Sequence, residues 1–141
     1  MAPLVLDANT LMRAALAVKV RALIAQYGDR MDFLAPQSVF LEASTRLAEV
    51  VTRRGLEMGE IMPHLSRLSG IVRSVDRVVY GAHESVARQL LARRDESDRP
   101  VLATAMALEC PIWTEDADFF GCGVATWTSD RVEWYLKTQA R

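Results

Sequence analysis

The sequence predicts an α/β protein: a three-layer α/β/α sandwich around a central, mostly parallel sheet of about four to five strands. Short apolar runs, beginning with Leu4-Val5-Leu6, alternate with longer segments whose apolar residues recur at helical spacing. Strand–helix alternation requires crossovers, which are right-handed in parallel sheets and lay helices over both faces. The 141 residues, half hydrophobic and a quarter charged, form one domain over residues 1–141, large enough to bury a core.

After the first strand, Met12, Leu16, Val20, Leu23 and Ile24 mark one helix, with Gly28 as the glycine just past its end. Asp32-Phe33-Leu34 is the second strand. Pro36 suits the first turn of a helix whose inner face carries Val39, Ala43, Leu47 and Val50, and Gly55 ends it. Met58, Ile61, Met62, Leu65 and Leu68 mark a third helix, which Pro63 shortens or kinks. Ile71–Val75 is the third strand. Val86, Ala87, Leu90 and Leu91 lie on the next helix, which ends in Arg93-Arg94-Asp95-Glu96. Pro100 stands in the first turn of a helix through Leu108. Pro111–Thr114 is the fourth strand, Val124–Thr126 a short fifth, and Val132–Lys137 a closing helix.

Composition excludes several classes. A formal charge of −1 gives no global basic footprint for nucleic acid, although an acidic site neutralised by metal is compatible with it. Cys110 and Cys122 lack metal-ligand spacing, and neither His64 nor His83 stands near them, so both read as small buried hydrophobes. No apolar run approaches the roughly 18 residues of a membrane span, and the first residues lack a signal-peptide pattern. No membrane association and a cytoplasmic location are expected.

Chemistry is expected at one edge of the sheet. In open α/β sheets ligands bind beyond the carboxyl ends of the strands. Asp7 ends the first strand and Asp116 lies just past the fourth. Asp98 stands just before a helix that starts at that edge. Glu42 lies in the second turn of its helix, where side chains lean toward the N-terminus. Topology thus gathers four acids far apart in sequence. Their oxygen donors suit Mg²⁺ or Mn²⁺ rather than zinc. Each also has a purely structural explanation: Asp7 as a helix cap, Glu42 as an i,i+4 partner of Arg46, Asp98 as a first-turn acid, Asp116 as a turn residue.

These segments resemble the PIN-domain family, and in particular its VapC-type ribonuclease toxins. Val5–Thr10 is similar to the family's opening strand and first acid, Phe40-Leu41-Glu42-Ala43 to its second, and Asp98–Ala105 to its third. Pro111–Phe119 is the most specific match, with Asp116 in the fourth position and Asp118 as the alternative fourth ligand. The tail Phe120–Trp127 resembles a subgroup rather than the best-known toxins. The resemblance implies a PIN-like fold and a Mg²⁺- or Mn²⁺-dependent endoribonuclease with Asp7, Glu42, Asp98 and Asp116 as catalytic and metal-holding acids. It also implies a homodimer and a cognate antitoxin. Thr10 and Thr114, with Asn9 and Asp118, are the supporting residues it implies. Arg99 departs from an aromatic residue common in this subgroup.

Arg13, Lys19 and Arg21 lie on the first helix, and Arg93, Arg94 and Arg99 flank the third acid. A solvated surface is the default for each, and Arg13 and Arg99, nearest the acidic edge, are the candidates for RNA phosphates. Trp113, Trp127 and Trp134 are expected to pack. Asp7-Ala8-Asn9-Thr10 is also similar to the Asp-x-Asp-x-Thr motif of haloacid-dehalogenase-like phosphatases, but Asn9 removes that family's second acid. A receiver-like domain would need a lysine that no suitable position supplies. A catalytically inactive PIN scaffold binding RNA or protein is the remaining alternative, and it has no need of four acids.

Overall fold

The structure is a computed structural model describing residues 1–91 and 96–140; Arg93 and Arg94 lie outside the described residues. Its elements are β1 (Ala2–Leu6), α1 (Ala8–Leu16), α2 (Val18–Tyr27), β2 (Met31–Pro36), α3 (Gln37–Arg54), α4 (Met58–Ser69), β3 (Arg73–Val75), α5 (Arg77–Tyr80), α6 (Glu84–Leu91), α7 (Asp98–Leu108), β4 (Ile112–Trp113), β5 (Thr126–Trp127) and α8 (Val132–Gln139). Short 3₁₀ turns cover Gly81–His83 and Ala117–Phe119. Among the described residues, no helix is long and apolar enough to cross a membrane.

The five strands run in the order β3-β2-β1-β4-β5, and every pair is parallel. Central β1 is apolar at Leu4, Val5 and Leu6, all fully buried, as a strand covered on both faces must be. From β1 the chain steps outward through β2 to β3, then returns past β1 to β4. With right-handed crossovers, that reversal sends the connecting helices to opposite faces. The packing agrees, α1 lying against α2, α3 and α4 while α7 lies against α5 and α6. The result is a three-layer α/β/α sandwich.

Several boundaries differ from the sequence expectation. The first predicted helix is two, separated by extended Ala17 (φ −115°, ψ 125°). The break is held by Arg21, whose Nη1 donates to the Ala14 and Ala15 carbonyls at 3.1 and 3.0 Å and caps the end of α1. Apolar spacing runs through the break, so periodicity does not reveal it. Pro36 closes β2 rather than opening α3, and Pro63 sits inside α4 without ending it. The third strand is confined to Arg73–Val75, the fifth shifts to Thr126–Trp127, and α5 is a single turn too short for periodicity to register.

Gly55 closes α3 with φ +66°, the left-handed turn that glycine adopts without penalty. Gly28 is different: its backbone is right-handed, not the left-handed form expected past a helix end. A Cβ there would lie 2.8 Å from Ile71 Cγ2 and 3.0 Å from the Ile24 carbonyl. Glycine is present for close approach. Gly28→Ala is expected to destabilise the fold by about 1–3 kcal/mol, as overpacking does, and the shift of the urea midpoint would measure it.

Candidate active site at the strand crossover

The crevice where the chain reverses, between β1 and β4, lies beyond the carboxyl ends of two neighbouring strands. Leu6 pairs with Trp113, so Asp7 and Thr114 leave the sheet side by side. Asp7, Asn9, Glu42, Arg46, Ser97, Asp98 and Asp116 line one cleft there, with Ala8 and Val101 as its apolar members. The four acids expected to meet do share this cleft. Asp98 is the first residue of α7 rather than the residue before it, so its carboxylate lies at the positive end of the helix dipole.

Asp7 is held from two sides. Its Oδ1 accepts the Thr10 backbone N–H at 2.8 Å, capping α1, and its Oδ2 accepts the Thr114 hydroxyl. Thr10 donates its own hydroxyl to the Trp113 carbonyl at 3.0 Å, tying the start of α1 to β4. Thr114 in turn accepts the Asp116 backbone N–H at 2.9 Å. One short chain of hydrogen bonds therefore fixes Asp7 and the Asp116 backbone together. Burial pushes the Asp7 carboxyl above the usual carboxylate range; the bonds from Thr114 and Thr10 pull it down, and the nearby Asp116 charge adds to the rise.

Carboxylate oxygens of Asp98, Asp116 and Asp118 all lie within 4.8 Å of one another. Asp116 Oδ1 accepts the Asp118 N–H at 2.9 Å, so a 3₁₀ turn holds these two acids on one side and the α7 N-terminus presents the third. Asp116 and Asp118 are both present in the group. The donors are all oxygen and the geometry is compact, which fits a hard divalent cation. Close carboxylates without one repel, and Asp7 without one resists ionisation.

Glu42 pairs with Arg46 one turn along α3, Nη2 to Oε1 at 2.6 Å, while Arg46 Nη1 donates to Asn9 Oδ1 at 3.5 Å. Sequence spacing suggests this pair only as an ordinary surface arrangement. It stands inside the cleft, which makes Arg46, with Ser97, a lining residue that reading by acids alone misses. Neither has a distinctive local motif.

Neither of the two arginines expected near substrate lines the acidic cleft, and each has an acid beside it. Arg13 Nη1 is 3.9 Å from Glu115, itself bonded to the Ser129 N–H, and Arg99 Nε is 3.5 Å from Glu84. Trp113 is fully buried against Phe33, and Trp127 stacks on Tyr135 with centroids 5.4 Å apart. Trp134, expected to pack, is 70% exposed. Burial pushes the Cys110 thiol up to about 11, which leaves it protonated and unreactive.

Residues 5–137 match the family profile of the PIN domain. Solved structures of similar fold include the crystal structure of VapBC2 from Rickettsia felis bound to a DNA fragment from their promoter. One of its chains superposes with a TM-score of 0.64 at 13% identity, over 89% of this chain and 98% of that one. The structure of FitAB bound to an IR36 DNA fragment gives a TM-score of 0.52 at 19% identity, over 89% and 94%. At these identities the likeness is one of fold. No curated protein sequence matches the chain significantly.

Proposed function

The chain belongs to the PIN-domain family, and from that premise we propose that it is a divalent-metal-dependent endoribonuclease, the toxin of a toxin–antitoxin pair. The observation that carries the reading is the gathering of Asp7, Glu42, Asp98 and Asp116 in one cleft, with Asp118 completing a compact group of carboxylates. Family membership removes the haloacid-dehalogenase-like alternative.

Asp98, Asp116 and Asp118 would hold Mg²⁺ or Mn²⁺, with Asp7 supporting the buried side and Glu42 lining the same cleft. A bound ion of this kind supplies a Lewis acid for a phosphoryl oxygen and a water of lowered pKa. The protein's own part is positional. Thr114 and the Thr10 amide fix the Asp7 carboxylate, and Thr10 keeps the β1 and β4 ends together. Glu42 and Asn9 hold the Arg46 guanidinium in the cleft, where it adds positive charge beside the acids. No histidine lines the cleft among the described residues, so proton transfer falls to water and the carboxylates.

RNA is the substrate in this reading, and the cytoplasm its place of action. The resemblance to VapC-type toxins, with the fold likeness to VapBC2, supports a cognate antitoxin, and a homodimer follows from the resemblance alone. The test is cleavage of a mixed single-stranded RNA pool by the purified protein. Cleavage is expected with Mn²⁺ or Mg²⁺ and none in EDTA. No cleavage with either ion, from protein that still binds the metal and the RNA, would favour the inactive scaffold.

A further inference from the structure

At the same sheet edge as the acidic cleft lies a second one of opposite sign, lined by Arg77, Glu84, Ser85, Arg88 and Arg99. Its residues arrive from three helices. Arg77 opens α5 just past β3, where Asp76 caps the turn by accepting the Val78 N–H at 2.9 Å. Glu84 and Arg88 stand one turn apart on α6, and Arg99 follows Asp98 at the start of α7. Parallel strands place Arg77 and Arg99 at the same sheet edge as Asp7.

The arrangement is built around one carboxylate. Glu84 Oε1 accepts from Arg77 Nε at 2.7 Å, and its Oε2 lies 3.5 Å from Arg99 Nε. The side chains of Glu84 and Arg99 are 15% and 21% exposed, so the two are packed together rather than separated by solvent. Both pairs are made at Nε. Arg88 has no ion-pair partner among the described residues. Among the described residues that line the cleft, three guanidiniums accompany one carboxylate, a surplus of two positive charges in a chain whose formal charge is −1.

We propose that this cleft is a binding site for backbone phosphates of single-stranded RNA on one side of the scissile bond. The inference rests on the ribonuclease reading above and adds where the flanking strand runs. A polyanion approaching the acids meets repulsion unless positive charge lies along its path, and guanidinium forks match phosphate geometry. Arg99 is adjacent in sequence to Asp98, so a strand whose reacting phosphate sits at Asp98 passes directly onto Arg99. Glu84 keeps Arg77 and Arg99 aligned and prevents their mutual repulsion. Arginines bound to phosphate fix register and carry no base preference of their own.

The test measures binding of a fluorescent mixed-sequence single-stranded RNA to full-length Asp7→Asn protein, which separates binding from cleavage. Dissociation constants would be taken with Mg²⁺ between 50 and 200 mM salt, a range in which phosphate neutralisation dominates the trend. Adding Arg77→Ala and Arg88→Ala is expected to weaken binding about tenfold or more. The slope of log affinity against log salt should fall by about 1.4, roughly 0.7 for each single-strand phosphate that is no longer neutralised. Melting curves would confirm that the variant remains folded. RNA binding with unchanged affinity and salt slope in the variant would overturn the phosphate site while leaving the nuclease reading in place. Absence of RNA binding by Asp7→Asn itself, with metal bound, would instead remove the ribonuclease reading on which the site depends. Equal competition by polyglutamate of matching charge would overturn the assignment to RNA.

Discussion

Asp98→Asn and Asp116→Asn are each expected to lower RNA cleavage by at least about a thousandfold, measured as kcat/KM at saturating Mn²⁺. The figure corresponds to roughly 4 kcal/mol of transition-state stabilisation, within the several kcal/mol that a positioned divalent ion contributes. The same substitutions should remove the ion's effect on folding. Wild type in Mn²⁺ at about a hundred times its dissociation constant gains about 2.7 kcal/mol, which for a domain of this size raises Tm by about 8 °C. Asp118→Asn belongs to the same series. Wild-type cleavage by Asp116→Asn, with the Mn²⁺ shift intact, would dismantle the proposed metal set.

Asp7→Asn should abolish cleavage to a similar degree and yet strengthen the metal-free fold. The Asn side chain can keep its oxygen toward the Thr10 amide, and its NH₂ can donate to Thr114, whose oxygen already accepts from Asp116 N–H. Shape is retained and a desolvated charge is removed. Because burial raises the folded-state pKa of Asp7 above its unfolded value of 3.8, the protonated form is the one the fold favours. Its stabilising contribution is fully present below 3.8 and disappears as pH rises through the raised folded value. The Asn variant has no such loss. In EDTA the stability difference between variant and wild type should therefore grow with pH across that window, as read from urea midpoints. Mn²⁺ should restore stability in wild type alone. A variant less stable than wild type at neutral pH, without metal, would show that Asp7 is primarily a structural cap.

The acids were legible because each sits where local sequence announces an element boundary. Asp7 follows an apolar strand, Asp116 follows another, Asp98 opens a helix with Pro100 in its first turn, and Glu42 lies one turn into a helix after Pro36. A parallel sheet converts those local signals into a common edge. The structural explanations also hold: Asp7 caps α1, Glu42 pairs with Arg46, and Asp116 caps a 3₁₀ turn. Structural and chemical roles coexist at these positions, so the presence of one does not argue against the other.

What the sequence hid are interactions between elements. The split at Ala17 depends on Arg21 reaching back to two carbonyls, and no periodicity records that reach. Arg99 adjoins an acid in sequence, but its place beside Glu84 on another helix puts it in a second cleft. Asp116 and Asp118 read as alternatives along the chain, whereas the 3₁₀ turn folds them into one group with Asp98.

The placement of β1 between β2 and β4 has a consequence for when activity can exist at all. Thr114 and the Asp7 carboxylate it holds are 107 residues apart in sequence. Pairings of such separation form late, after the loop-closure entropy between them has been met. A fragment that ends before β4 has an unpaired edge on β1 and lacks Asp116, Asp118 and the hydroxyl that orients Asp7. Incomplete chains, whether still emerging from a ribosome or cut by a protease, therefore carry acids but no assembled site. A site organised this way is incomplete until nearly the whole chain has folded.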